Sequence, residues 1–310
     1  MRFSLIGAAC AGALACLLPA ATASAQLVFG TTTTSTSNPA VIYLDVTTGE
    51  TTTLWNSAAR KKANGLAADL DGMRLYANDA ARLNYWDFGD IGTAPTLIGG
   101  MYRTDGTTTS ATGFDGLTWA NGKLYGSTSY PSTVFDRGIY EIPTTPNGDG
   151  ILIATPVWTD PGDTGVLELN GVEFNPVDGL FYGVQSTDNT ADGGTLTRGL
   201  YSIDAFGTGA FTKIADFPDG RTGIDGLAIG DGMFWLTEQV GADQLVRIFP
   251  YDPVTGAYGD TIEFALPDGT NRASSAVWAP GAIPEPASLG LVGAAGALLL
   301  SRRRHQGRRA

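Results

Sequence analysis

The sequence predicts an all-β protein that repeats a unit of four short strands. An Asn-Gly or Asp-Gly pair followed by Leu or Val recurs at residues 64–66, 115–117, 170–172 and 225–227. These starts are 51, 55 and 55 residues apart, a spacing typical of a repeated four-stranded module. Runs rich in β-branched and aromatic residues follow each tripeptide, separated by Gly, Asp, Asn and Pro turns. No part of the body shows a 3.6-residue period, so helices should be minor.

Each unit reads as a first strand at the tripeptide and three strands after it. Second strands are predicted at 73–78, 123–127, 180–185 and 233–237, and third strands at 83–88, 138–142, 200–204 and 245–251. Fourth strands are predicted around 96–98, 151–157, 211–217 and 261–264. The stretch from Asp225 to Phe264 is the clearest complete unit.

The two ends of the body look like the halves of one more unit. Residues 27–31, 41–46 and 52–55 resemble second, third and fourth strands with no first strand before them. Residues 273–278 form an apolar run where another first strand is due. Pairing these ends would close a ring and remove the exposed sheet edges. The sequence therefore predicts a five-bladed β-propeller, or six or seven blades if a long connection such as 128–137 or 188–198 hides a strand pair.

Missing residue types exclude several kinds of chemistry. Cys10 and Cys16 both lie in the first sixteen residues, and the single histidine, His305, lies in the C-terminal tail. Residues 26–281 therefore hold no disulfide, thiolate metal site, cysteine nucleophile or Ser-His-Asp triad. They carry 13 basic and 30 acidic residues, a net charge of about −17 against −12 for the whole chain. Such an acidic surface argues against a nucleic-acid partner.

The N-terminal residues 1–25 match a secretory signal peptide. Arg2 precedes the apolar run 3–18, and Ala23-Ser24-Ala25 is a small-residue cleavage site that would place the mature start near Gln26. A lipoprotein signal ending at Cys16 is the alternative, although the usual aliphatic residue is missing from its start. Export is therefore expected.

Residues 282–310 carry a second processing pattern. Pro284-Glu285-Pro286 is followed by the apolar stretch 287–300 and by arginines at 302–304. This order resembles the PEP-CTERM sorting signal of exported proteins in Gram-negative bacteria. The resemblance implies cleavage near the Pro-Glu-Pro motif by an exosortase-type membrane protease, and release to the cell surface or extracellular matrix.

The length of the apolar stretch agrees with a transient anchor. Fourteen helical residues reach about 21 Å, which is short of a ~30 Å hydrocarbon core. The following arginines would hold this end on the cytoplasmic side of the inner membrane. An ordinary single-helix anchor remains the alternative.

The residues that open the first strands are the candidate metal ligands. First strands line the central channel of a propeller, so Asn64, Asp115, Asn170 and Asp225 could present side-chain oxygens to one Ca²⁺ ion. The tripeptides resemble those of the gluconolactonase and senescence-marker-protein family, six-bladed propellers. That resemblance implies a divalent metal held by channel Asn, Asp and Glu for lactone hydrolysis. Alternatively, Asn-Gly and Asp-Gly are ordinary turn formers.

Other candidate sites have alternatives that need no ligand. Residues 69–72 and 147–150 resemble parts of a calcium loop but also suit tight turns. Glu168, Glu173 and Glu238 could supply a carboxylate pair for glycoside hydrolysis. Three aromatic residues could stack on sugars or be buried between blades: Trp86, Tyr130 and Trp158.

These observations favour an exported, non-enzymatic propeller at the cell surface or in the matrix, with extracellular polysaccharide as a candidate ligand. No catalytic residue is assigned. The alternative from another class is a Ca²⁺-dependent lactonase-like or esterase-like hydrolase that uses the channel Asn and Asp residues. A purely structural scaffold is the third reading.

Overall fold

The computed structural model describes residues 26–32, 40–56, 63–104, 109–128, 136–160, 168–188, 196–238, 245–266 and 272–279. The predicted signal peptide (1–25) and sorting signal (282–310) lie outside these residues. Within them the regular structure is β-strand, apart from two short 3-10 turns at Phe88–Asp90 and Pro218–Gly220. Nothing in this described part is a helix of the length and hydrophobicity needed to cross a membrane.

The described residues contain twenty-two strands. The first eleven are β1 (Gln26–Thr32), β2 (Ala40–Asp45), β3 (Thr51–Asn56), β4 (Leu66–Asp69), β5 (Arg74–Asp79), β6 (Arg82–Asp87), β7 (Thr96–Thr104), β8 (Thr109–Ala111), β9 (Gly116–Ala120), β10 (Lys123–Thr128) and β11 (Gly138–Ile142). The others are β12 (Ile151–Thr159), β13 (Leu169–Asn175), β14 (Leu180–Gln185), β15 (Gly199–Ile203), β16 (Phe211–Ala215), β17 (Ile224–Gly230), β18 (Met233–Glu238), β19 (Leu245–Asp252), β20 (Ala257–Tyr258), β21 (Ile262–Ala265) and β22 (Arg272–Trp278). The predicted second and third strands of the four complete units agree with these bounds to within one residue.

Consecutive strands pair antiparallel, as the repeat predicts. The orders are β4-β5-β6-β7, β9-β10-β11-β12, β13-β14-β15-β16 and β17-β18-β19, with β20 and β21 both pairing with β19 and β8 pairing with β7. Short hairpin turns join neighbouring strands, and several contain glycines with positive φ, such as Gly122 and Gly232.

The two ends of the described body share one sheet, as predicted. β22 pairs antiparallel with β1, placing Leu27 opposite Trp278 and Phe29 opposite Ala276. The resulting sheet has the order β22-β1-β2-β3. The last strand thus supplies the first strand of a sheet that the N-terminal strands could not complete alone.

A pairing between two of the predicted units was not expected. β7 continues to Thr104, well beyond the expected end near residue 98, and pairs in parallel with β12, placing Gly100 opposite Ile151. This pairing merges two of the four-stranded units into one nine-stranded sheet. A side chain at Gly99 would bring its Cβ to 2.9 Å from the carbonyl oxygen of Gly150, so the close approach of these edges requires a residue without Cβ.

The hydrophobic core lies between sheets. The buried apolar residues form five clusters, and each cluster draws on two neighbouring strand units. The β1–β3 and β22 unit, for example, packs against the β4–β7 unit through Val28 and Leu66, and against the β17–β21 unit through Leu27 and Trp235. The first strands also contact one another in succession: β22 with β4, β4 with β9, β9 with β13, β13 with β17, and β17 with β22.

Candidate functional site

Close packing of the first strands requires the glycine in three of the four repeated tripeptides, whereas a Cβ at Gly226 would lie 3.4 Å from the backbone nitrogen of Ala276 on the neighbouring first strand. None of these glycines has a positive φ, so they are not needed for a left-handed turn. A Cβ at Gly116 would come to 2.6 Å from the backbone nitrogen of Val172, and one at Gly65 or Gly171 to 2.9 Å from that of Leu117 or Leu227. The interpretation of these pairs as turn formers is therefore wrong, because it is backbone packing between first strands that excludes a side chain.

Polar residues at the end of two second strands tie neighbouring units together. Ser127 Oγ accepts a hydrogen bond from the Gly116 N–H at 3.1 Å and donates one to the Leu169 carbonyl at 2.8 Å. In the preceding unit, Asn78 occupies the same register position opposite Gly65. Its Oδ1 accepts from the Gly65 N–H, and its Nδ2 donates to the Phe114 carbonyl.

The sequence analysis did not identify this bridging role. The available signal was a polar residue at the end of an otherwise apolar second strand, opposite the tripeptide glycine. Thr237 stands at the equivalent position opposite Gly226, but its Oγ1 is buried with no hydrogen-bond partner. In the β13–β16 unit, the apolar residue Val184 stands at this position, opposite Gly171.

The four predicted metal ligands all lie at the start of first strands and are half-buried. Asn64 and Asp115 precede β4 and β9, and their backbone N–H groups donate to the carbonyls of Asn78 (3.0 Å) and Ser127 (2.9 Å). Asn170 and Asp225 lie within β13 and β17, at register shifts in the ladders. The tripeptide spacing thus identified four positions that are equivalent in the repeat.

Asn170 and Asp225 are brought into direct contact. The Asn170 amide donates one hydrogen bond to Asp225 Oδ1 at 2.9 Å and another to Ser186 Oγ at 2.8 Å. A cation would instead need the amide oxygen to face the carboxylate. The described residues contain no cluster of three or more His, Cys, Asp or Glu side chains that could hold a metal.

The two segments that resemble parts of calcium loops form tight turns. Asp69 Oδ1 accepts the Gly72 N–H at 2.8 Å. Asn147 Oδ1 accepts the N–H groups of Asp149 and Ile151 at 3.0 and 3.1 Å. In both cases the side chain stabilises its own turn.

The three candidate glutamates lie in different environments. Glu238 is buried and forms ion pairs with Arg221 and Arg247, each at 3.2 Å. Glu168 Oε2 accepts a hydrogen bond from Thr187 Oγ1.

Glu173 is the most unusual titratable group of the described residues. It lies on β13 between the apolar residues Val172 and Phe174, and its Oε2 is buried without a hydrogen-bond partner. Burial raises the pKa of this carboxyl well above its usual range, while a hydrogen bond with Thr118 acts in the opposite direction. Burial therefore disfavours the ionised form of Glu173, which does not suit a nucleophile.

A cavity of about 300 Å³ opens where the β13–β16 unit meets the β17–β21 unit. We call it the seam cavity. It is lined by residues of the connection between β14 and β15 and of the segment between β16 and β17: Asp188, Thr197, Arg198, Asp216, Phe217, Gly220 and Arg221. Phe217 belongs to the buried apolar cluster beneath it.

Hydrogen bonds link the seam cavity to the predicted site residues. Arg198 Nε donates to the Ser186 carbonyl at 2.9 Å, while Ser186 Oγ accepts the amide of Asn170. On the other side, Arg221 pairs with Glu238 at the end of β18 and lies over the ring of Phe249 at 5.6 Å. Bonds to residues at the ends of β14 and β18 therefore hold the two arginines that line the seam cavity.

The predicted stacking aromatics are structural where the structure describes them. Trp86 and Trp158 are buried, and their indole N–H groups donate to the carbonyls of Thr93 and Gly209, each at 3.0 Å. Burial between strands is therefore the correct reading for these two residues. Tyr130 lies outside the described residues.

Several solved structures are similar to this chain. A chain from the crystal structure of a nidogen/laminin complex matches with a TM-score of 0.50 and 14% identity, covering 82% of this chain and 98% of that one. TolB from Acinetobacter baumannii matches with a TM-score of 0.48 and 11% identity, covering 82% and 66%. A putative 6-phosphogluconolactonase from Bacteroides fragilis matches with a TM-score of 0.42 and 13% identity, covering 83% and 98%.

No protein-family model and no curated protein sequence matches the chain. The nidogen-complex match confirms the predicted all-β, propeller-like fold. At this level of identity it carries no information about function.

Proposed function

We propose that the chain is an exported, five-bladed β-propeller that is processed by an exosortase-type protease and acts as a binding or scaffold protein at the cell surface or in the extracellular matrix. Its partners are that protease and extracellular polysaccharide, with no nucleic acid among them. The C-terminal apolar stretch anchors it transiently in the inner membrane before release. The apolar run 3–18 with the small-residue site Ala23-Ser24-Ala25, and the Pro284-Glu285-Pro286 motif, support this route.

The count of five blades is supported by the succession of first strands. β22, β4, β9, β13 and β17 contact one another in a closed order, and each begins an antiparallel unit. The five apolar clusters fall between successive units in the same order. The β7–β12 pairing then joins the outer edges of two blades.

One observation carries the non-enzymatic assignment. Several polar side chains near the starts of the first strands are bonded to one another, since Asn170 donates to Asp225 and Glu238 is shared by Arg221 and Arg247. A general base or nucleophile needs a reactive lone pair directed at a substrate. Side chains arranged as mutual partners instead form a rigid polar surface suited to recognition.

The processing route is tested in a host that carries an exosortase. The double variant Pro284→Ala/Pro286→Ala is expected to stay in the membrane fraction, while the unmodified chain loses both ends and reaches the surface or medium. Pro253→Ala, in an exposed turn of the body, is the matched control and should be processed normally. Intact mass and cell fractionation report the result. Normal processing of the double variant would refute the sorting role.

The Ca²⁺-dependent hydrolase remains a second candidate, because Asn170 and Asp225, two of its predicted ligands, are adjacent. A cation would require the Asn170 amide to turn its oxygen toward the carboxylate. Thermal unfolding with Ca²⁺ and with a chelator, together with lactone hydrolysis, tests it. Equal melting temperatures and no hydrolysis would remove this candidate.

A further inference from the structure

We propose that the seam cavity binds one ring of an uncharged saccharide. The proposal rests on the proposed matrix-binding role and gives it a site and a ligand class. It is argued from the size of the cavity, the pairing of its charges and the hydrogen-bonding groups that remain.

The volume of the seam cavity fits a small ligand unit. About 300 Å³ lies at the lower end of the range for small-molecule pockets. That space accommodates one sugar ring, while the rest of a polymer would extend across the surface. Phe217 contributes an apolar part of the lining, which suits the C–H face of such a ring.

Each charge at the seam cavity already has a partner of opposite sign. Arg198 pairs with Asp188 at 3.4 Å, Lys213 pairs with Asp216, and Arg221 pairs with Glu238. A carboxylate or ammonium group of a ligand would have to separate one of these pairs or stay without a counter-charge. A hydroxyl group needs neither, because it donates one hydrogen bond and accepts others.

Donors and acceptors for hydroxyl groups remain on both walls. Arg221 uses Nη1 for Glu238, so its Nε and Nη2 have no partner among the described residues. Arg198 uses Nε and Nη1, which leaves Nη2. The Asp216 side chain is 87% exposed and carries acceptor capacity beyond its bond to Lys213. The lining of the seam cavity therefore offers both arginine donors and an aspartate acceptor to hydroxyl groups.

The charge of the whole body disfavours the charged alternative. The net charge of about −17 carried by residues 26–281 repels acidic polysaccharides at long range, whereas uncharged polymers are unaffected. The local pairing of charges and the overall charge thus both favour an uncharged ligand.

The test measures binding of neutral hexose oligosaccharides and of uronate oligosaccharides to the purified full chain by calorimetry. Arg221→Gln and Asp216→Asn are each expected to weaken binding of a neutral oligosaccharide about tenfold or more, since each removes a charge-assisted hydrogen bond. Arg74→Gln is the matched control, because Arg74 forms an exposed ion pair with Asp87 on another unit. It should bind like the unmodified chain. Melting curves confirm that each variant is folded. Because the Asp216 side chain is exposed, Asp216→Asn should leave the hydrophobic core unchanged.

The outcomes separate this proposal from the proposed function. If both cavity variants still bind the neutral oligosaccharide, the binding site lies elsewhere. This result would overturn the assignment of the site to the seam cavity and leave the binding role intact. Stronger binding of uronate oligosaccharides would overturn the ligand class. No binding of either panel would overturn the inference altogether, whereas the export and sorting route is judged independently by the fractionation experiment.

Discussion

At the scale of single residues, Glu173 places a carboxyl group where ionisation is unfavourable. Its Oε2 is buried without a partner, and burial raises its pKa above the ordinary glutamate value of 4.5. The folded protein therefore binds more protons than the unfolded chain above that pH, and its stability falls as the pH rises toward the folded-state pKa.

Glu173→Gln is expected to remove this pH dependence. The variant should melt close to the unmodified protein near pH 4, and at increasingly higher temperature relative to it as the pH rises to 8. Calorimetric melts across this range provide the measurement. Glu141→Gln, which removes an exposed carboxylate that pairs with Lys123, controls for a general loss of negative charge. A constant difference at every pH would contradict the assignment.

The bridging hydroxyls give a second residue-scale prediction. Ser127→Ala leaves the buried Gly116 N–H and Leu169 carbonyl without that partner, so it should cost about 1–3 kcal/mol of unfolding free energy. Thr237→Val removes a hydroxyl that has no partner, so its cost should be near zero or it should stabilise. Urea unfolding of both variants checks the contrast. Equal losses would show that the Ser127 hydrogen bonds contribute no net stability.

The sequence could locate these positions but not their roles. The repeat aligned Asn64, Asp115, Asn170 and Asp225, since their spacing is visible in the chain. The contact between Asn170 and Asp225 depends on two register shifts that have no sequence signal. The two partners of Glu238 come from different elements: Arg247 lies opposite it on β19, whereas Arg221 lies in the connection before β17, whose course the sequence does not indicate.

At the scale of elements, strand positions were predictable because turn residues bound them on both sides. Gly122 and Gly232 mark hairpins of the same shape in different units. The parallel pairing of β7 with β12 was not predictable, because it joins strand edges through backbone groups that every sequence possesses. In the sequence, the β7–β12 pairing is indicated only by Gly99-Gly100, two consecutive residues without side chains.

The first-strand glycines make the element-scale prediction. Gly116→Ala forces a Cβ to within 2.6 Å of the Val172 backbone nitrogen, so the strands must move apart, at a cost of about 1–3 kcal/mol or more. Gly148→Ala, in an exposed turn with no atom near its added Cβ, should be within about 0.5 kcal/mol of the unmodified protein. Denaturant melts of the two variants give the comparison. Equal stability would contradict the close packing of first strands.

At the scale of the whole molecule, the incomplete units at the two ends were the decisive sequence observation. Near residue 273 the sequence has a first strand with no second strand after it, and near residue 27 it has a second strand with no first strand before it. These incomplete units predicted the observed β22–β1 pairing. The number of units arranged around the axis is a property of how sheets pack, and the sequence indicates it only by counting repeats. The seam cavity was not predictable, because its walls come from connections whose course depends on that packing.

Closure by β22 gives the prediction for the whole molecule. A chain of residues 26–279 retains every strand and should unfold in one cooperative transition. A chain of residues 26–271 loses Ala276 and Val277 from two apolar clusters and leaves β1 with an unpaired edge. Because the clusters on both sides of this sheet share its strands, we expect the shorter chain to lose the cooperative transition and bind a hydrophobic dye. A melting temperature within a few degrees of the longer chain would mean that the ends do not hold the fold together.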